Sequence, residues 1–69
     1  MKEFPLGDHE FIELHNLLKV TGLCESGGMA KALIAEGRVT VNGAVELRKR
    51  YKARKGDIVE LDGNKITVI

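Results

Sequence analysis

Tryptophan is absent from this sequence, and proline and cysteine each occur once. A lone Cys24 cannot form an internal disulfide, which points to a reducing compartment; beside a helix start it reads as a small buried hydrophobe rather than a reactive thiol. Aromatics number three, Phe4, Phe11 and Tyr51, so a core needs them. No apolar run approaches the roughly 20 residues of a membrane span. The opening Met-Lys-Glu-Phe-Pro lacks the apolar stretch of a secretory signal. A cytoplasmic protein with no membrane partner is expected. Catalytic groupings are missing too: there is no acid pair, no Ser/His/Asp set and no phosphate-binding loop. His9 and His15 stand six apart without a Cys or carboxylate at ligand spacing, which argues against a metal site. A chain of 69 residues buries only about 60% of its unfolded surface and leaves little room for a deep pocket. One domain over residues 1–69, non-enzymatic and without a cofactor, is the expectation.

What is present centres on Ser26 to Gly43. Ser26 suits a helix N-cap, because its hydroxyl accepts from an N–H of the first turn. Ala30, Leu33, Ile34 and Gly37 follow at offsets 0, 3, 4 and 7, the stripe that one helical face presents to a core. Gly37 can end the helix at positive φ. Val39 and Val41 then point one way and Thr40 the other, as in a strand. Asn42-Gly43 predicts a type I′ hairpin turn. Gly27-Gly28 leave the helix start uncovered, either for an anion or for a neighbouring backbone. Lys31 and Arg38 are expected beside that start.

Around this centre the pattern predicts an edge strand over Lys2–Leu6 and a turn at Gly7-Asp8-His9. A first helix is expected over Glu10–Val20, with Phe11, Leu14, Leu17 and Leu18 buried and Glu10, Glu13, Asn16 and Lys19 facing water. Thr21-Gly22 ends it, and a short link makes the two helices a packed hairpin. After Gly43 the chain returns through Ala44–Leu47. Turns at Lys55-Gly56-Asp57 and Asp62-Gly63 flank a strand at Ile58–Leu61, and Lys65–Ile69 is the last strand. The fold class is α+β: a two-helix hairpin on a small, mainly antiparallel sheet.

The formal charge is only +1, but it is unevenly placed. Arg48, Lys49, Arg50, Lys52, Arg54 and Lys55 are six of the 11 basic residues, with no acid among them. If Leu47–Arg54 is extended, Arg48, Arg50, Lys52 and Arg54 share one side at about 6.6–6.8 Å intervals, on the order of the phosphate spacing of one strand. The alternative is an edge strand whose cations deter aggregation. Tyr51, within the run, can stack on an unpaired base or pack on the sheet.

Leu17–Gly22, Glu25–Lys31, Leu33-Ile34, Glu36-Gly37, Val39, Val41-Asn42-Gly43 and Gly56-Asp57 resemble the S4 RNA-binding domain, in particular its small stand-alone bacterial members. The resemblance covers about Glu10 to Leu61. It implies an αL-type fold that binds structured RNA, ribosomal or transfer, in association with a ribonucleoprotein. It carries the RNA surface over to Ser26, Gly27, Gly28, Lys31, Arg38 and Asn42, with the basic run beside them. Many S4 domains have Arg where this chain has Gly27, which shifts the burden to Lys31 and the basic run. Two rivals come from other classes. A ubiquitin-like sulfur carrier shares Val41-Asn42-Gly43 and Gly56-Asp57, but needs a C-terminal Gly-Gly where this chain has Val68-Ile69. A module using its basic face on an acidic protein is the other.

Overall fold

The computed structural model of the protein describes residues 2–69; Met1 lies outside them. In chain order the elements are β1 (Lys2–Phe4), β2 (Ile12–Glu13), α1 (Leu14–Val20), α2 (Gly27–Ala35), β3 (Val39–Val41), β4 (Ala44–Val45), β5 (Lys52–Ala53), β6 (Ile58–Leu61) and β7 (Asn64–Val68). Five strands form one sheet in the order β1-β7-β6-β3-β4, and β2 pairs with β5 apart from it. Every pairing is antiparallel except β1 with β7. The two helices pack on this mixed sheet, the α+β arrangement expected.

Strand alternation builds the sheet's inner face. Val39 and Val41 of β3 are buried, opposite Leu61 and Val59 of β6, and Val59 stands opposite Ile66 of β7. Leu14, Leu17 and Leu18 close the core from α1, and Ala30 and Ile34 from α2. Leu33 is only half-buried. Cys24 is buried between the helices, its N–H donating to Leu18 O at 3.0 Å. Burial, with Asp62 nearby, pushes its thiol pKa up, as befits a core side chain.

The turn chemistry is as the sequence predicts. Asn42 and Gly43 have φ of 52° and 87°, and Asp62 and Gly63 repeat the pair at 50° and 84°. At the end of α2, Gly37 takes φ 79°. Its N–H donates to Ile34 O and that of Arg38 to Leu33 O, the paired bonds of a Schellman cap.

The first helix departs from expectation. It begins at Leu14, not near Glu10. Ile12 and Glu13 are drawn into antiparallel pairing with Ala53 and Lys52, a tertiary contact that no local periodicity encodes. Glu13 stands at the N-cap and makes no side-chain cap bond. Phe11 is therefore off the helix and half-buried, not part of the buried stripe.

Candidate nucleic-acid interface

The basic segment is not the extended strand the alternation suggests. Only Lys52–Ala53 is strand. Tyr51 N–H donates to Arg48 O and Asp57 N–H to Arg54 O, so turns bracket β5 on both sides. The cations therefore do not lie along one extended edge. Arg48, Arg50, Tyr51, Lys52 and Arg54 line a shallow concavity of about 440 Å3.

This segment docks on α1. The N–H groups of Leu14 and His15 donate to the carbonyls of Tyr51 (2.8 Å) and Lys49 (3.0 Å). They are first-turn donors that a helix otherwise leaves unpaired, and here the two carbonyls stand in for the absent side-chain cap. His15 also faces α2: a Cβ on Gly27 would sit 3.8 Å from its Nδ1. The basic segment and the start of α2 thus adjoin through His15, which the sequence had offered only as a rejected metal ligand.

Two acids hold the cations in place. Glu13 takes Nε2 of His15 at 2.9 Å and Arg50 at 3.3 Å. The His15 bond, then Arg50, hold its carboxyl below the usual carboxylate range. Glu46 grips Arg48 through Nε (2.9 Å) and Nη2 (3.0 Å), which lowers its pKa likewise. The Arg48 guanidinium lies 5.3 Å from the Tyr51 ring centroid. The Arg48 and Arg50 side chains stay exposed, at 72% and 75%. Lys31, Lys49 and Lys55 are exposed and form no ion pair among the described residues. No local signal places Glu13 beside Arg50; only the β2–β5 pairing does.

At α2, Ser26 Oγ accepts from Met29 N–H at 3.1 Å, the cap expected. The N–H groups of Gly27 and Gly28 have no acceptor among the described residues. A Cβ at either glycine would make only ordinary contacts, with His15 and Ser26. No close backbone approach demands glycine there. What the pair does is leave the positive helix end uncovered.

Two expected neighbours lie elsewhere. Arg38 follows the far end of α2, about 13 Å of helix from Gly27; it pairs with Asp62 and, at 3.9 Å, with Glu36. Asn42 is engaged within the fold. Its Nδ2 donates to Asp57 at 3.0 Å and its Oδ1 accepts from Ile58 N–H at 2.9 Å. Asp57 also accepts from Tyr51 OH (2.9 Å) and Arg54 N–H (3.0 Å). Burial works to raise the Asp57 pKa, but these hydrogen bonds outweigh it and the net shift is downward. Tyr51 is half-buried against the core, and burial, then the Asp57 bond, push its hydroxyl pKa up.

Comparison with known proteins converges on one family. The S4 domain family matches residues 4–69. This chain belongs to the S4 domain family. Among its relatives, the Escherichia coli K12 protein named "Putative RNA-binding protein YbcJ" is 49% identical over 69 residues, covering 100% of this chain and 99% of that one. The Bacillus subtilis "Probable ribosome maturation protein RlbA" is 41% identical over 56 residues, 81% of this chain and 79% of that one. The solution structure of YbcJ, described as revealing an αL motif involved in RNA-binding, superposes with a TM-score of 0.78 over 100% of this S4 chain and 87% of that structure. The fold of this S4 protein is therefore of the αL type.

Proposed function

We propose that this S4 protein is a non-enzymatic, cytoplasmic RNA-binding module, a single domain over residues 1–69, that holds structured RNA by its phosphates. The observation that carries this is the cationic concavity of Arg48, Arg50, Lys52 and Arg54, joined through His15 to the open start of α2. Lys49, Lys55 and Lys31 extend it, Gly27 and Gly28 supply backbone donors, and Ser26 caps the helix that presents them. The resemblance also places Arg38 and Asn42 on the RNA surface; Arg38 pairs with Asp62, and Asn42 with Asp57 and Ile58 N–H, so they are its weaker contributors. The ribosome-maturation name of the Bacillus subtilis relative favours ribosomal RNA, within a ribonucleoprotein. Sulfur-carrier chemistry finds no support in the family or its relatives.

The test is salt titration. Lys49→Ala, Lys52→Ala, Arg54→Ala and Lys55→Ala together should weaken binding to a structured ribosomal RNA fragment nearly equally across sequences, since phosphate contacts carry no sequence information. Each phosphate deprived of its cation reduces the slope of log K against log salt by roughly 0.7–0.9, so the quadruple variant should flatten it by about three units. Arg48→Ala and Arg50→Ala should each lower it by less, because Glu46 and Glu13 already offset those charges. An unchanged slope in a folded quadruple variant moves the site off this segment. No salt-sensitive RNA binding by the native protein leaves an acidic protein as the partner to pursue.

A further inference from the structure

A second cavity, of about 650 Å3, opens next to the basic segment. Its volume falls in the range of small-ligand sites, about 300–1,000 Å3. Phe4, Leu6, Phe11 and Ile12 give it apolar walls, and Asp8 and Glu10 bring carboxylates to it. Phe11 is the wall it shares with the cations: Lys52 Nζ lies 5.0 Å and the Arg54 guanidinium 6.0 Å from its ring centroid. Phe4 and Tyr51 pack against the core, whereas Phe11 is half-buried and is not among the side chains that do.

We propose that this cavity receives one unpaired base of the bound RNA, stacked on Phe11, with its flanking phosphates on Lys52 and Arg54. The proposal rests on the RNA-binding reading above. A nucleotide has three chemistries in a row, and this surface offers a match for each. Its phosphate meets the cations, its flat face meets an aromatic and aliphatic wall, and the N–H groups of its edge meet carboxylates, which only accept. Guanine presents two adjacent N–H donors to a single carboxylate, whereas uracil presents one. The cavity therefore favours an unpaired guanine. The base has to be unpaired, because side chains cannot read bases in the deep major groove of an A-form helix. A cationic peptide fits less well: the neighbouring strip is basic, and Glu13 is already paired with Arg50 and His15.

Fluorescence anisotropy on one labelled RNA hairpin tests this, with the hairpin fully paired, with a single bulged guanosine, or with a single bulged uridine. The native protein should bind the bulged-guanosine form tighter than the paired form by about 5- to 150-fold, the range for stacking on an aromatic side chain. Phe11→Leu keeps apolar bulk but removes the stacking face, and should bind all three forms at the paired-hairpin level. Phe11→Trp should restore the preference. Asp8→Asn with Glu10→Gln should narrow the gap between guanosine and uridine while keeping the gain from a bulge. Circular dichroism checks that each variant folds. Binding of the paired hairpin with no gain from a bulge, or a gain that survives Phe11→Leu, overturns the cavity proposal and leaves the RNA reading standing. Absence of salt-sensitive binding to all three hairpins overturns both. A labelled oligoarginine peptide that binds the native protein and not the Asp8→Asn, Glu10→Gln variant, alongside an absent bulge effect, makes the cavity a peptide site instead.

Discussion

Gly27 and Gly28 are the residues at which stability and binding pull apart. Neither needs a positive φ and neither is crowded, yet glycine in a helix costs up to about 1 kcal/mol relative to alanine. The Gly27→Ala, Gly28→Ala variant should gain about 0.4–1 kcal/mol per site in urea melts and bind RNA more weakly in the same preparation, as methyl groups cover the N–H donors. Loss of stability, or stronger binding, would refute this account. Asp57 works in the opposite sense, as a purely structural knot. Its carboxyl pKa is depressed in the folded protein, so its contribution is present above the ordinary carboxylate value of about 4 and disappears as pH falls through the lower folded value. Asp57→Asn should lower the urea midpoint at neutral pH and flatten its fall in acid. An acid limb as steep as that of the native protein would show that other carboxylates, Glu13 and Glu46 first, carry it.

Among the elements, those built from local chemistry were readable in advance. Ser26 as cap, Gly37 as stop and Asn42-Gly43 as turn each act within a few residues of themselves. Their pattern in the sequence is nearly the whole cause of the structure. Replacing Asn42-Gly43 with Ala-Ala should therefore damage folding before binding: two positive φ values become costly, and the Asn42 bonds to Asp57 and Ile58 vanish. An unchanged melting temperature would contradict this. The elements built from distant contacts were not readable. The start of α1 depends on Lys52–Ala53 and on carbonyls from the basic segment, and the shape of that segment depends in turn on α1. The alternation of charge from Leu47 to Arg54 fits a strand equally well until Leu14 and His15 claim two of its carbonyls. The same limit applies to the site. Its cations were plain from composition, but their acidic holders, Glu13 and Glu46, and the linking His15 come from tertiary pairing.

Across the whole molecule, an aliphatic core supports a surface divided by charge. Leu17 and Ile34, both fully buried, should each cost about 2–5 kcal/mol on truncation to alanine, a large part of what a small domain has to lose. Guanidinium denaturation would measure this, and a loss below about 1 kcal/mol at both sites would misplace the core.

The parallel pairing of β1 with β7 has a consequence for how the protein is made. Lys2 lies opposite Ile66 and Phe4 opposite Val68, so an early strand must wait for one far along the chain. The α1–α2 hairpin and the β3–β4 turn can close while the polypeptide is still emerging, since their contacts are short in sequence. Lys2–Phe4 has no partner strand at that stage, and such long loop closure is the slow part of folding. Its capture by β7, completed by the Lys2 ammonium bond to Thr21 O at 2.8 Å, then comes after those local contacts have closed.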